Sequence, residues 1–162
     1  MDAIDTALGV PLPSTYEELL EFAQVPEHED KQQYCLAQAV YFEARGEPTE
    51  GQIAVARVIL NRVSDARYPA TICGVVFQRQ VSANICQFEF ACDGMSDRPH
   101  EKAAWEMAKR VAYMVSENWL PDPIGDAKYF HAAAMAKPSW THRMVQIAHL
   151  GNHIFYSDSR IE

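Results

Sequence analysis

The sequence predicts a mainly helical α+β domain, and three observations carry that prediction. Three long stretches place apolar residues at three- and four-residue steps and stop at Gly or Pro, the pattern of helices lying on a core. From Ala127 onward that period is lost and short strand-like runs replace it, and helices followed by short strands in a small chain read as α+β. The chain has 162 residues, 48% hydrophobic and 22% charged, which suits one folded domain and excludes a disordered chain. It carries no internal repeat and no low-complexity segment.

Residues 1–29 mix Pro11, Pro13 and Pro26 with many acids. They read as an arm carrying one short helix from about Tyr16 to Gln24, with Ser14 as its cap and Glu17 three positions later. The main domain is expected over 30–162. Its first long helix runs from about Asp30 to Arg45, with Leu36, Ala39 and Val40 on its inner stripe and Gly46 and Pro48 as its stop. Thr49 and Gln52 have capping-box spacing for a second helix over Glu50–Val63. Its density of Ile and Val marks a helix buried on much of its surface. From Ser64 to Arg98 the period breaks, too long for a structureless loop, so short pieces such as Ile72–Phe77 are expected, with the rest lining a cleft. A third helix is expected over about Pro99 to Trp119, capped by Asp97 or Ser96, with Ala104, Ala108, Val111 and Val115 inward. Ala127–His131 and His153–Tyr156 read as short strands, and Met144–Leu150 as a short helical or irregular piece between them.

Lys and Arg number 14 against 22 Asp and Glu, a net charge of −8. That balance disfavours nucleic acid and anionic membrane as partners, since both require concentrated positive charge. No apolar run approaches the roughly 20 residues of a membrane-spanning helix. The start, Met-Asp-Ala-Ile-Asp, has no basic segment followed by an apolar one, so no signal peptide is expected. Intracellular residence, a trimmed leader and release of the kind phage lysis proteins use all remain open. Cys35, Cys73, Cys86 and Cys92 allow three disulfide pairings, free buried thiols or a metal site. Cys86 and Cys92 are spaced to close a tight loop; oxidised pairs would imply life outside the cytosol.

Glu43 is the anomalous residue. It lies seven positions beyond Leu36, and at about 100° per residue seven steps fall about 20° short of two turns, so it projects from the core-facing stripe. Three readings stand: a buried acid paired with Arg57 or Arg62, an exposed acid where the stripe ends, or a cleft acid whose pKa is raised by apolar neighbours and which donates a proton. Glu47 and Asp93 are candidate second carboxylates. His149 and His153 are spaced i,i+4, but Gly151 separates them and no His-Glu-x-x-His pattern exists, so no metal and no other cofactor is expected.

Several blocks together are similar to the cell wall hydrolase family of the spore cortex-lytic enzyme. They are the run Cys35 to Glu47 containing Glu-Ala-Arg-Gly-Glu, then Gly51-Gln-Ile-Ala-Val-Ala and Ile59-Leu-Asn61-Arg62-Val. Cys73-Gly-Val-Val-Phe, Cys86 to Gly94, Ala127-Lys-Tyr-Phe-His131 and Ile154-Phe-Tyr156 follow in family order. The resemblance implies a lysozyme- or transglycosylase-like helical core, with Glu43 as catalytic acid. It implies cleavage of the peptidoglycan glycan strand between N-acetylmuramic acid and N-acetylglucosamine, chiefly by lytic transglycosylation. Muramidase hydrolysis, amidase action on the stem peptide and a non-enzymatic wall-binding module are the alternatives. The cysteines look like those of a Gram-negative or phage-like branch, and a monomer acting in the periplasm or cell wall is expected.

One acid suffices for transglycosylation, because the substrate's C6 hydroxyl takes the place of water. Phe88, Tyr129, Trp140 and Tyr156 are candidate walls against sugar faces, or else core aromatics. Gln87 and Asn152 are candidate hydrogen-bond donors to substrate, or else partners of turn backbone. Glu47 is expected at the cleft wall or holding Arg45, Arg62 as a brace for Glu43 or Glu47, and His131 in substrate contact or core hydrogen bonding.

Overall fold

The computed structural model describes residues 15–26, 30–80 and 85–158. Among the described residues five helices precede a three-stranded sheet, the mainly helical α+β order expected. They are α1 (Tyr16–Glu21), α2 (Lys31–Ala44), α3 (Thr49–Val63), α4 (Ile72–Val76) and α5 (Lys102–Ser116). Two short strands, β1 (Arg79–Gln80) and β2 (Ile85–Cys86), and a 3-10 turn (Glu89–Cys92) fill the middle of the chain. The C-terminal sheet is β3 (Tyr129–Ala132), β4 (Met144–Leu150) and β5 (His153–Asp158), with a 3-10 turn at Ser139–Arg143 before β4.

Helix α2 is the centre of the molecule. Cys35 through Tyr41 are all buried, because α3, α4 and α5 pack around it. Ala37 and Ala39 let neighbouring backbones approach closely, and the one buried amide there, Gln38, donates to Asp97 O at 3.1 Å. Asp30 caps α2 by accepting from Gln32 N at 2.7 Å. The Cys35–Cys73 disulfide joins α2 to α4, and Cys86–Cys92 closes the loop carrying the first 3-10 turn, so two of the open cysteine readings fall away.

Four expectations about element ends need correction. Ser14 lies outside the described residues, and Thr15 caps α1 by accepting from Glu18 N at 3.1 Å. Thr49 is buried inside α3 rather than capping it; Pro48 holds the cap position and Gln52 Nε2 donates to Glu47 O at 3.1 Å. Helix α5 starts at Lys102 instead of Pro99, because the Tyr41 hydroxyl accepts from His100 N at 3.0 Å and Glu101 N at 2.9 Å, doing the work of a cap from another helix. The same helix stops at Ser116, where Asn118 takes a φ of 60° and Trp119 N donates back to Met114 O.

The larger correction is 144–150, which is a seven-residue strand and not a helical or irregular piece. It pairs antiparallel with β5, whose other edge pairs with β3, giving the order β3-β5-β4. The hairpin turns at Gly151, with a φ of 58°, and a Cβ there would collide with Glu47 Oε1 and Pro48 Cδ. Strand β5 is the buried middle strand, with Phe155, Tyr156 and Ser157 inside.

The sheet is bolted to the helices by the last turn of α3. Asn61 Nδ2 donates to Gly125 O at 2.9 Å and Ala127 O at 2.8 Å, and Arg62 Nε donates to Lys128 O at 2.8 Å. These bonds hold the entry to β3 beside α3 and fix the gap between the end of α2 and the sheet.

Candidate active site

That gap is a cleft of about 350 Å3, and Glu43 lies in it. The last turn of α2 delivers the carboxylate, half-buried between buried Ala44 and half-buried Phe42. Phe42 is stacked on Phe90 at 4.8 Å, so an apolar wall adjoins the acid. Glu43 forms no ion pair among the described residues. Arg57 is turned to Asn118 Oδ1 at 2.8 Å and the Leu120 carbonyl, and Arg62 to Lys128 O. The paired-acid reading is therefore excluded.

Burial raises the Glu43 pKa from an ordinary 4.5 to about 7, and the negative charge of Glu89 adds to the shift. Among the described residues no cation or hydrogen-bond donor offsets these two causes. A pKa raised to this range suits a proton donor working near neutral pH.

Of the other predicted site residues, Gln87, Phe88, His131 and Trp140 line the same cleft. Phe88 is buried floor, whereas Trp140 is 38% exposed. Tyr129, His131 and Tyr156 hold that indole at centroid distances of 5.9, 5.8 and 5.4 Å. His131 Nδ1 lies 2.8 Å from Ala132 O, so it carries the proton in the neutral ring, and Nε2 then accepts from Tyr156 OH at 2.8 Å. Both ring nitrogens are occupied, and His131 is a rigid wall.

Tyr129, Tyr156, Glu47 and Asn152 do not line the cleft. Tyr129 and Tyr156 stand behind it, supporting Trp140. Glu47 and Asn152 meet each other: Glu47 Oε1 accepts from Asn152 N at 2.8 Å and Oε2 from Asn152 Nδ2 at 3.0 Å. Glu47 does not hold Arg45, which reaches Tyr41 and Glu101 instead. Asp93 accepts from Met95 N at 2.9 Å, a local turn role. His149 and His153 sit on opposite strands of a hairpin, with His149 paired to Ile154, so their spacing belongs to a turn and not to one helix face.

Sequence reasoning missed Phe130, Met135, Pro138 and His153 as cleft residues, and Glu89 as a charge acting on Glu43. The pairing of β3 with β5, which sets Ala132 opposite His153, brings Phe130 and His153 together, while Met135 and Pro138 lie on the connection that follows β3. The block 86–94 was singled out, but nothing in its residue types ranks Glu89 above its neighbours.

The profile of the cell wall hydrolase family matches residues 46–156. The chain belongs to this family. The match begins three residues after Glu43, and relatives aligned over a longer span agree with it. The spore cortex-lytic enzyme of Oceanobacillus iheyensis is 39% identical over 121 residues, covering 74% of this chain and 39% of that protein. The Bacillus subtilis enzyme of the same name is 36% identical over 120 residues, covering 74% of this chain and 35% of that protein. The chain thus spans about two fifths of the length of the curated relatives it matches. Among solved structures, the catalytic domain of the Bacillus cereus SleB protein superposes with a TM-score of 0.64 at 36% identity, over 82% of this chain and 95% of that one. The catalytic domain of the germination-specific lytic transglycosylase SleB from Bacillus anthracis gives the same TM-score and identity, over 82% of this chain and all of that one. The mostly helical fold with a small C-terminal sheet is that of this cell wall hydrolase domain.

One expectation is overturned here. The cysteines pointed to a Gram-negative or phage-like branch, whereas the relatives are cortex-lytic enzymes of Gram-positive spore formers. The physical reason is that Cys35–Cys73 fastens α4 to α2 and Cys86–Cys92 closes a short loop, so both pairs report local bracing and not lineage.

Proposed function

We propose that this cell wall hydrolase cleaves the β-1,4 bond between N-acetylmuramic acid and N-acetylglucosamine in peptidoglycan, as a lytic transglycosylase with Glu43 as acid and then base. The observation that carries the reading is an unpaired acid with a pKa near 7 in a cleft walled by aromatic rings. The names of the matched relatives and of the two superposed domains support it. Protonated Glu43 gives its proton to the bridging oxygen as the bond from muramic C1 to that oxygen breaks. The muramic C6 hydroxyl then bonds to C1 and its proton passes to the Glu43 carboxylate. The products are a 1,6-anhydromuramic end and a free glucosamine 4-hydroxyl, and no water is consumed. Trp140 supplies the sugar platform and Gln87 a hydrogen-bonding side chain at the rim.

The catalytic domain in this reading starts at residue 30, acts as a monomer, and meets its substrate at the cell wall. Hydrolysis is the second reading, and Glu89 favours it as the carboxylate whose charge reaches Glu43. Mass spectrometry of the products from purified peptidoglycan separates the cases. Anhydromuramic ends that vanish with Glu43→Gln are expected. Reducing muramic ends as the only glycan product would replace the transglycosylase by a hydrolase, and free L-alanine amino groups would replace both by an amidase.

A further inference from the structure

The cleft holds a second chemical feature besides its acid. Arg62 lines it, yet the side chain is only 3% exposed. Its Nε is bound to Lys128 O, while Nη1 is buried with no partner. No carboxylate pairs with this guanidinium among the described residues. It is enclosed by the rings of Tyr68, Phe88 and Tyr129 at 5.2, 5.6 and 5.9 Å from its central carbon. The nearby Asp65 is committed to Arg67 at 2.6 Å and Lys128 at 3.6 Å. His153 Nδ1, in the same cleft, is likewise buried without a partner.

A buried cation is ordinarily matched by an anion, since removing its hydration is costly otherwise. Rings and one carbonyl hold this guanidinium in place but do not neutralise it. Its planar fork is the group best suited to a carboxylate. Glu43 does not serve as the match: among the described residues no ion pair or hydrogen bond joins it to Arg62, and Arg62 is not among the causes of its raised pKa.

Resting on the glycan reading above, we propose that Arg62 is the carboxylate-recognition residue of the cleft, binding an acid group carried by the muramic acid beside the scissile bond. The strand offers that chemistry in two places: the lactyl carboxylate of a muramic acid without its stem, and the free carboxylates of a stem peptide. Either would fix which sugar lies over Glu43, since N-acetylglucosamine carries no acid. Arg62 thereby sets polarity, placing muramic C1 and not glucosamine C1 at the proton donor.

The test uses the full chain as Glu43→Gln, so that ligands are bound and not consumed, and isothermal calorimetry at low salt. One ligand pair is the stem-free alternating glucosamine–muramic tetrasaccharide and its lactyl methyl ester. A second pair is the stem-bearing tetrasaccharide and the same molecule with its peptide carboxylates esterified. In at least one pair the acid is expected to bind about tenfold or more tightly than the ester, and the pair that shows it identifies the source. Adding Arg62→Met should bring acid and ester to equal affinity. The ligand comparison stands even where that variant does not fold. Equal affinities within both pairs would overturn the assignment of Arg62 and leave the glycan reading intact. No binding of any tetrasaccharide would overturn both.

Discussion

Glu47, ahead of α3, lies four positions beyond Glu43 at the end of α2, and the two regions treat the same side chain in opposite ways. In the cleft no donor answers Glu43, so burial and the charge of Glu89 push it toward the neutral form. At the β4–β5 turn Glu47 receives two bonds from Asn152, which make it part of the scaffold. The difference teaches that a signature with two acids need not encode two catalytic carboxylates. Here one acid is poised by being left alone, and the other braces the sheet that forms the opposite wall.

The strongest way to break this contrast is to remove the lone acid. Glu43→Gln is expected to lower turnover of peptidoglycan about 10²- to 10⁴-fold, measured by release of soluble muropeptides. The same variant should be more stable than the parent at alkaline pH. Between about 4.5 and about 7 the unfolded chain has lost this proton while the folded protein keeps it, so parental stability falls as pH rises through that window. Above it the deficit is complete, at most about 3 kcal/mol, and Glu43→Gln removes it. Urea melts at pH 4 and pH 8 check this; an equal stability difference at both pH values would contradict the raised pKa.

Changes at the turn should show the reverse signature. Gly151→Ala forces a side chain into a left-handed conformation and against Glu47 and Pro48. A loss of about 1–3 kcal/mol in chemical denaturation is expected. Glu47→Gln keeps the shape but weakens the charged acceptor, with a loss of about 1 kcal/mol. Its activity against pH should keep the parental midpoint, and a displaced midpoint would show that Glu47 acts on the acid after all. Glu89→Gln is the finest probe. Removing that negative charge lowers the Glu43 pKa, so activity that declines above about 7 in the parent should decline at a lower pH in the variant.

The contrast was only half legible in the sequence. Glu43 announced itself because its seven-residue offset from Leu36 set a charge on an apolar stripe, and helical geometry alone exposes such a conflict. The three long helices were legible from apolar patterning too, Leu36 and Val111 on apolar stripes and Ile53 in a run dense enough in Ile and Val to be buried on much of its surface. Glu47 was not legible, because its partner Asn152 is 105 residues away and meets it only after β4 and β5 pair. The strand at 144–150 was missed because its exposed Val145 and Ile147 and a bulge between Gln146 and Ala148 disturb the alternation that marks a half-buried strand. The start of α5 was misplaced because its cap is Tyr41, a tertiary partner that no local motif reveals.

The most direct test of the central claim is titration of the Glu43 side-chain carboxyl carbon by NMR, in protein labelled at glutamate and assigned by comparison with Glu43→Gln. A midpoint near 7 is the result expected from a desolvated, unpaired acid. A midpoint near the ordinary 4.5 would show a hydrated or paired carboxylate, and the proton donor on which the proposed chemistry depends would be absent.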